Sequence, residues 1–283
     1  MSTALPDFIV GLEDYTESIN MAVYADPGLG KTVLAGSART LILATEHGTI
    51  AAARQGSKAK MASAMTVENL DRAYDFLAEN CENEDFPFDW IAIDTATEMQ
   101  NMFKRHIVTN RVDEGVAKNL NPYKVDLNEY GETQEMFKAY VKKFNDLPIN
   151  TLWTAHAKTV EDEEGNTFIC PDIHGKGYQL ATWFGAQMHC LGYMRMDRVN
   201  LKDPKTGSVR ETERRRIHWK AGSNFRAKDR FDCLGAVTSG KSLDQLTKMI
   251  YDSAAVPEEP PAPKKAPAKK AAAPAKAPAP ATA

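Results

Sequence analysis

The segment YADPGLGKT, from Tyr24 to Thr32, has the residue types and spacing of a loop that binds phosphate groups. It follows an apolar run and precedes a helical pattern, and strand, loop and helix in that order are the context such a loop requires. Backbone N–H groups of the loop and of the helix N-terminus point into one concavity that favours an anion. We therefore expect a nucleotide site made by Asp26, Pro27, Gly28, Leu29, Gly30, Lys31, Thr32 and Val33.

Individual residues of this loop have distinct chemical roles in such a site. Gly28 and Gly30 let the backbone curl closely around phosphates, because glycine adopts conformations that other residues avoid. The Lys31 ammonium would reach the terminal phosphates, and the Thr32 hydroxyl would ligate Mg²⁺. The pattern GxxxxGK[ST] has glycine where this chain has Ala25, at the point where the strand leaves the sheet. One added methyl group is compatible with the loop if φ stays negative there, so we expect the loop to function.

Two acidic residues follow apolar runs further along the chain. Asp94 ends the run DWIAID, at the position of a carboxylate that supports Mg²⁺, although an Asp that caps the next helix is the alternative. Glu46 follows the run LILAT, where a carboxylate could polarise the water that attacks a terminal phosphate. A solvent-exposed glutamate at a strand end is the simpler alternative for Glu46. The phosphate loop upstream favours the functional interpretation of Asp94.

Short apolar runs alternate with helical patterns along the chain. Such alternation predicts an α/β fold with a mostly parallel sheet covered by helices. The predicted strands are 19–25, 40–45, 88–94, 149–157, 187–196 and 215–221. The predicted helices are 31–39, 67–80, 97–110 and 132–146. The last two strands are joined through the turn sequence DPKTG, which predicts an antiparallel hairpin added to the sheet.

The bulk composition is that of an ordinary globular protein. The chain has 283 residues, of which 43% are hydrophobic and 26% are charged, and its formal net charge is −3. This charge excludes a uniformly basic coat but permits a local basic face. The four cysteines form no CxxC pair, so we expect reduced thiols rather than zinc. Neither a signal peptide nor a run of roughly 20 apolar residues is visible, so we expect a cytoplasmic protein that does not enter a membrane.

The C-terminal end differs sharply in composition from the rest of the chain. From Pro257 onward it consists almost entirely of Pro, Ala and Lys, and it contains eight of the chain's 15 prolines. A segment without large side chains to bury is expected to be disordered. The sequence therefore predicts one domain over residues 1–253 and a disordered tail over residues 254–283. The tail's five lysines could contact an acidic partner or phosphates weakly, and a solubilising spacer is the alternative.

The order of the motifs resembles the core of RecA/Rad51-type ATPases. That core has a phosphate loop, a strand ending in a catalytic glutamate (ATEHG here), a strand ending in a Mg²⁺-supporting aspartate, and a strand with a polar sensor (LWTAHAK here). More closely, the chain resembles phage-encoded Rad51-like P-loop ATPases of the single-strand annealing type, which are often described only as phage AAA-family proteins. The stretches NEYGETQEMFKAYVKKFNDLPINTLWTAHAK, PDIHGKGYQLATWFGAQMH and FRAKDRF carry this likeness over residues 8–235.

The resemblance implies a RecA-like fold, ATP and Mg²⁺ as ligands, and a role for each motif residue. Lys31 and Glu46 would be catalytic, Thr32 and Asp94 would hold Mg²⁺, and His156 would sense the terminal phosphate. His156 stands where RecA itself typically has Gln, and a histidine that only satisfies a strand end is the alternative.

RecA relatives keep a DNA-contacting loop after the sensor strand, and this chain departs from that pattern. The segment TVEDEEGNTFICPDIHGKGYQ is acidic in its first half, which predicts a β-turn rather than a DNA groove. Lys176, near its end, is the better candidate for contact with DNA or with a neighbouring subunit's phosphate. An exposed loop lysine is the alternative.

A concentration of basic residues lies between positions 210 and 230. Eight Lys or Arg stand there against three acids, with Trp219 and Phe225 among them. Basic side chains beside aromatics suit single-stranded DNA, although both aromatics could equally be core residues. The alternatives are an arginine finger in trans from Lys228 or Arg230, and a charged outer strand. The candidate contacts are Arg214, Arg215, Arg216, Lys220, Arg226, Lys228 and Arg230, together with Lys176.

The resemblance thus implies an ATPase stimulated by single-stranded DNA, acting in phage recombination, annealing or replication in the bacterial host cytoplasm. The resemblance implies a homo-oligomer, as a ring or filament. A helicase or helicase-loading motor is one alternative. A nucleotide-dependent switch that recruits a single-strand-binding protein through the tail is the other, although a pure switch would not need Glu46 as a water activator.

Overall fold

A computed structural model of the chain describes residues 18–115, 121, 124–202 and 207–254. The strands are β1 (Asn20–Ala25), β2 (Thr40–Ala44), β3 (Lys60–Ser63), β4 (Trp90–Asp94), β5 (Asn150–Glu161), β6 (Thr167–Pro171), β7 (Cys190–Lys202), β8 (Val209–His218), β9 (Lys228–Asp229) and β10 (Val237–Ser239). The helices are α1 (Lys31–Ala35), α2 (Ile50–Arg54), α3 (Val67–Asn80), α4 (Ala96–Asp113), α5 (Leu127–Asn145), α6 (Gln179–Ala186) and α7 (Leu243–Ala254).

The strands pair in the order β10-β8-β7-β1-β5-β4-β2-β3, with β6 beside β5 and β9 beside β7. Parallel pairing joins all strands from β3 to β7 in that order, while β8 and β10 are antiparallel additions. With helices on its faces, this mostly parallel sheet is a RecA-like P-loop core. The carboxyl ends of β1, β2 and β4 meet at one edge, beside His156 of β5, and such an edge is where open parallel sheets bind ligands.

Continuous apolar runs form the central strands because both faces of the sheet are covered. All residues of β1, β2 and β4 are buried. One face packs against α3, α4, α5 and α6 around Trp153, Phe137 and Phe184. The opposite face packs against α1 and α7 around Trp90 and Trp219. The helices thus hold β1 in the middle of the molecule.

Side-chain caps determine where the long helices begin. The Thr95 hydroxyl accepts a 3.2 Å hydrogen bond from the Glu98 N–H, which starts α4 directly after β4. Asp126 and Glu129 form a reciprocal capping box that starts α5. This cap explains why α5 begins at residue 127 instead of the predicted residue 132.

The predicted strands and helices are all present, with shifted ends. Helix α1 stops at Ala35 rather than at residue 39, because Gly36 terminates it. The predicted hairpin is confirmed as β7 and β8, and it extends further than expected along both strands. Residues 203–206 of its DPKTG turn lie outside the described residues. The sequence interpretation did not include β3, β6, α2, α6 or α7.

The acidic segment after the sensor strand is a β-turn, as predicted. It joins β5 and β6, which pair in antiparallel fashion from Glu161↔Thr167 to Ala157↔Pro171. The Asp162 carboxylate accepts hydrogen bonds from the backbone N–H groups of Glu164 (3.0 Å) and Asn166 (2.8 Å). Its acidic side chain therefore stabilises the turn.

The four cysteines are free thiols, as expected. Across the described ranges, no helix has both the length and the apolar character needed to cross a membrane. The predicted boundary at residue 253 falls at the last residues of α7, and the predicted disordered tail from residue 255 onward lies outside the described residues.

Candidate functional site

The phosphate loop leaves the sheet at the buried end of β1 and enters α1 at Lys31. Gly28 and Gly30 have φ values of 82° and 90°, the left-handed region that glycine occupies without steric cost. Ala25 is fully buried as the last residue of β1 and is not among the residues with positive φ. The chain therefore needs glycine at the two positions where the loop turns, and Ala25 fits as a strand residue.

The Lys31 side chain folds back under the loop. Its Nζ donates hydrogen bonds to the carbonyl oxygens of Ala25 (3.0 Å) and Asp26 (3.2 Å), and it lies 3.5 Å from Nδ1 of His156. Burial lowers the pKa of Lys31, while the carboxylates of Asp94, Glu46 and Asp26 oppose that shift. These hydrogen bonds to the loop thus position the Lys31 ammonium at the edge of the sheet where β1, β2 and β4 end.

Thr32 and Asp94 come together at the first turn of α1. The Thr32 hydroxyl donates a 2.6 Å hydrogen bond to Oδ2 of Asp94. The other carboxylate oxygen, Oδ1, accepts a hydrogen bond from the hydroxyl of Thr154, which is fully buried in β5. Asp94 is 3% exposed, so both of its oxygens are oriented by neighbouring side chains.

Glu46 and His156 face each other across the same edge. His156 Nε2 lies 3.7 Å from Oε2 of Glu46, and both side chains are partly exposed. Because the Lys31 ammonium can only donate, Nδ1 of His156 is the acceptor in this contact, and Nε2 faces the carboxylate. Thr45 fixes the chain before Glu46, since its hydroxyl donates to the Thr95 carbonyl (2.8 Å) and accepts from the Thr95 N–H (2.7 Å).

The backbone of His156 is held from two sides. Its N–H donates to the Thr97 hydroxyl (3.0 Å), which in turn donates to the Asp172 carbonyl (3.0 Å). The His156 carbonyl accepts from the Asp172 N–H (2.8 Å). The sensor position is therefore tied to the start of α4 and to the segment that follows β6.

Arg215 reaches the phosphate loop from β8. Its Nη1 donates a 3.2 Å hydrogen bond to the Leu29 carbonyl. A Cβ atom added to Gly30 would lie 2.0 Å from the same Nη1, so the guanidinium packs directly on that glycine. Arg215, predicted as a contact for DNA or a neighbouring subunit, thus lies against the nucleotide loop of its own chain.

Two other predicted contact residues, Lys228 and Arg230, form hydrogen bonds within their own chain. Lys228 Nζ donates to the carbonyls of Gly185 (2.8 Å) and Ala186 (3.3 Å) at the end of α6, and Arg230 donates to the Ala186 carbonyl (3.2 Å). Burial lowers the pKa of Lys228 to about 8. A trans-acting role for either residue stays a prediction, and it would require these helix-end contacts to break.

The remaining predicted contacts are spread over separate surfaces. Lys220 forms a 2.9 Å ion pair with Asp232, and the Arg226 guanidinium lies 4.0 Å from the centre of the Phe168 ring. Arg216 lies 3.7 Å from Asp197 in an ion pair. Arg214 is exposed on β8, and Lys176 is exposed in the segment before α6.

Trp219 and Phe225 are core residues. Trp219 is fully buried and donates through Nε1 to the Thr238 hydroxyl (2.9 Å), while Phe225 is 6% exposed. Their rings cannot stack on nucleic-acid bases from these positions. The hypothesis that Trp219 and Phe225 stack on bases beside the basic side chains is therefore wrong.

Two hydroxyl residues of the site were not identified from the sequence. Thr154 precedes His156 by two positions in TLWTAHA, so period-two alternation places both side chains on the same face of β5. Thr97 is in the first turn of the helix after Asp94. Both threonines lie close in sequence to motif residues. Their residue type alone, however, does not distinguish them from threonines that only pack in the core.

The oxygen atoms of Thr32 and Asp94 suit Mg²⁺. The ion prefers oxygen ligands and is usually bound by one or two protein groups together with substrate phosphates and water. No group of three or more His, Cys, Asp or Glu side chains that could hold a metal occurs in the described part of the chain, and this arrangement does not require one. When bound, Mg²⁺ would neutralise charge on the terminal phosphates.

Fold and site together define a P-loop ATPase with a RecA-like core. A family model described as AAA domain matches residues 17–231, well over half of the chain, and the chain belongs to this family. No curated protein matches its sequence.

Two solved structures are distantly similar. A KaiC-like protein from Pyrococcus horikoshii OT3 has 10% identity and a TM-score of 0.37, over 78% of this chain and 90% of its own. The flagellar accessory protein FlaH from Methanocaldococcus jannaschii has 9% identity and a TM-score of 0.30, over 79% and 92%. The strand order and the phosphate loop define the fold of this chain.

Proposed function

We propose that this protein hydrolyses Mg–ATP and couples the reaction to single-stranded DNA during recombination or annealing. The observation that carries the ATPase part is the meeting of Lys31, Thr32, Glu46, Asp94 and His156 at one edge of the sheet. These residues belong to β4 and β5 or follow β1 and β2, so only the fold brings them together.

Each side chain has a defined part in hydrolysis. Lys31 and the loop N–H groups bind and orient the phosphates, which supplies positioning and electrostatic stabilisation. Glu46 accepts a proton from, or orients, the attacking water. His156 touches both Lys31 and Glu46, so it is placed to respond to the terminal phosphate and to carry that response into β5.

The paired strands β7 and β8 form a long arm, and this arm supports the proposed coupling to DNA. β7 pairs with β1 only as far as Tyr193↔Tyr24 and then continues to Lys202 alongside β8. At about 3.3 Å per residue, the arm extends roughly 30 Å beyond the carboxyl edge of β1. Arg215 belongs to this arm and touches the phosphate loop, so the arm and the nucleotide site are in direct contact.

The charge of the arm favours a polyanionic ligand. Its two strands carry seven Lys or Arg against three Asp or Glu. Several of these charges pair within the arm, such as Arg198 with Glu213 at 3.7 Å and Arg195 with Asp197 at 2.7 Å. Binding would therefore depend on phosphate contacts and on salt concentration more than on base stacking. A homo-oligomer, as a ring or filament, is part of the same proposal.

The test is steady-state ATP hydrolysis without DNA, with single strands of several lengths, and with duplex, using Lys31→Ala as the blank. We expect stimulation by single strands that falls as salt rises, and a smaller stimulation in an Arg210→Ala/Arg214→Ala variant. Arg72→Ala, which removes an exposed arginine from α3 rather than from the arm, is the control and should leave the stimulation unchanged. Turnover that is indifferent to DNA would overturn the DNA part.

The same assay separates the alternative functions. Turnover that keeps rising with strand length indicates a translocating motor or helicase. Nucleotide binding without turnover indicates a switch. Recruitment of a single-strand-binding protein through the C-terminal tail stays a prediction, because that segment lies outside the described residues.

A further inference from the structure

We infer that the cavity between α6 and β9 binds an acidic peptide segment of a partner protein, which places one apolar side chain in the cavity and its carboxylates against Arg226 and Arg230. None of the described residues that line this cavity belongs to the phosphate loop, and the inference does not depend on the proposed ATPase function. It gives two residues that were predicted as nucleic-acid or trans contacts a different kind of ligand.

The cavity has the size and the walls of a site for a small apolar group. Its volume is about 380 Å³, near the lower end of the usual range of about 300–1,000 Å³ for ligand sites. Seven of its twelve described lining residues are apolar, and Cys170, Ala181 and Leu191 among them are buried. Its mouth is open to solvent, because Thr182 and Ala186 of α6 are exposed. The cavity therefore suits one or two side chains of a peptide that approaches from outside.

The charged groups around the cavity all have the same sign. Among the described residues that line it, the charged ones are Arg226, Lys228 and Arg230, and none is Asp or Glu. Burial lowers the pKa of Lys228, and the positive charge of Arg230 lowers it further, so an approaching anion would be stabilised here. Arg226 and Arg230 are exposed at the mouth, and guanidinium groups bind carboxylates with paired hydrogen bonds.

The walls of the cavity are held in place by contacts within the chain. The Arg226 N–H donates to the Ile169 carbonyl (3.0 Å), and the Arg226 guanidinium lies 4.0 Å from the centre of the Phe168 ring. On the other side, Leu191 of β7 is paired with Lys228 of β9. Because the site is already formed, little conformational entropy would be lost in ordering it around a ligand.

The chemistry of the walls favours a peptide side chain over a nucleobase. A base carries several hydrogen-bonding groups on its edge, and placing them against Cys170, Ala181 and Leu191 would leave them without partners. An apolar side chain has no such groups and is stabilised by leaving water. An apolar anchor in a pocket with a charged rim is also the arrangement that dominates the binding energy of many protein–protein interfaces.

The test uses fluorescein-labelled peptides in which one central residue stands between two pairs of aspartates, with affinities for the intact protein measured by fluorescence anisotropy without nucleotide. The central residue is Leu, Met, Phe or Trp, and Ala is the matched control. The best apolar peptide should bind at least about tenfold more tightly than the Ala peptide. Replacing its aspartates by asparagines should weaken binding by at least about tenfold.

Variants of the protein test the two guanidinium groups. Arg226→Ala and Arg230→Ala should each weaken binding of the best peptide by at least about threefold, because both groups are partly screened by solvent. Arg72→Ala, which removes an exposed arginine from α3, is the control and should leave the affinity unchanged.

Hydrogen–deuterium exchange of the intact protein locates the bound peptide without any variant. Protection should increase over residues 178–186 and 226–230. The inference is overturned if no peptide binds, if the apolar and Ala peptides bind equally, or if the protection appears elsewhere. A short oligothymidine that displaces the peptide and is itself weakened by Arg226→Ala would assign the cavity to nucleic acid instead. Since no nucleotide is present, a negative result here leaves the proposed ATPase function standing.

Discussion

The Thr32 hydroxyl and the Asp94 carboxylate are 2.6 Å apart, although 62 positions separate them in the chain. This contact joins the first turn of α1 to the end of β4, which is not adjacent to β1 in the sheet. β5 lies between them and contributes Thr154 to the same carboxylate. The candidate magnesium site therefore depends on β1, β5 and β4, which are neighbours in the sheet, and not on the loop alone.

Removing the Thr154 hydroxyl should weaken magnesium binding. Residues that orient metal ligands typically affect metal affinity or activity by 10–100-fold, so we expect Thr154→Val to need about tenfold more Mg²⁺ for half-maximal turnover. The measurement is the ATP hydrolysis rate against Mg²⁺ concentration. Thr151→Val removes a buried hydroxyl from the amino end of the same strand, where it bonds to Asn20 and Asn145. This control should keep the wild-type magnesium dependence, and an unchanged dependence in Thr154→Val would contradict the prediction.

Glu46→Gln should separate nucleotide binding from hydrolysis. The amide keeps the shape of the carboxylate but cannot accept a proton from water, and loss of such a group typically costs 10²–10⁴-fold in rate. We expect turnover to fall by at least about 100-fold, with ATP affinity unchanged within about threefold. Glu79→Gln on the exposed face of α3 is the matched control. Turnover that survives in Glu46→Gln would mean that another group activates the water.

Restoring the consensus glycine should not improve the site. Ala25 is a fully buried strand residue, and Ala25→Gly would remove a packed methyl group and add backbone freedom to the unfolded chain. We expect the free energy of unfolding to fall by about 1 kcal/mol, with ATP affinity unchanged. Urea denaturation and calorimetric titration measure the two quantities. Clearly tighter ATP binding in Ala25→Gly would show that the loop is compromised by its alanine.

Lys228 should make the free energy of unfolding of the protein increase at alkaline pH. Burial lowers the pKa of this lysine from 10.5 to about 8 in the folded state. Between these values the unfolded chain binds more protons, so this residue makes the free energy of unfolding rise with pH. Relative to Lys228→Met, we expect the wild type to gain about 1 kcal/mol from pH 7.5 to pH 10.5, allowing for partial solvent screening.

The comparison between wild type and Lys228→Met cancels the contributions of titratable groups that do not interact with Lys228. Urea denaturation at several pH values gives the difference. A constant difference across this range would mean that Lys228 is as well solvated in the folded chain as in the unfolded one.

The central part of the fold and of the site was predictable because each signal was local. Buried parallel strands are continuous apolar runs, and their carboxyl ends meet at one edge whatever their order. Asp94 and Glu46 could therefore be placed near Lys31 before the sheet order was known. The short strand β3 (KMAS) could not be found in this way, because it is an edge strand with mostly exposed side chains.

The orientation of β8 shows what sequence patterns leave open. Alternation places Arg215 on one face of the strand and Arg214 and Arg216 on the other. Only the pairing of β8 with β7, with Arg215 opposite Met196, decides that Arg215 meets the phosphate loop. Similarly, Trp219 between basic residues resembled a base-stacking group, and burial under α7 makes it a core residue.

β1 and β5 pair without a break from Asn20↔Thr151 to Ala25↔His156. The backbone of His156 is consequently paired in register with Ala25, the last residue before the loop. Rotation of the imidazole about its side-chain bonds is the motion that this pairing leaves free. A change at the terminal phosphate would therefore act first on one ring, between Lys31 and Glu46, and would reach β5 through the side chain of His156.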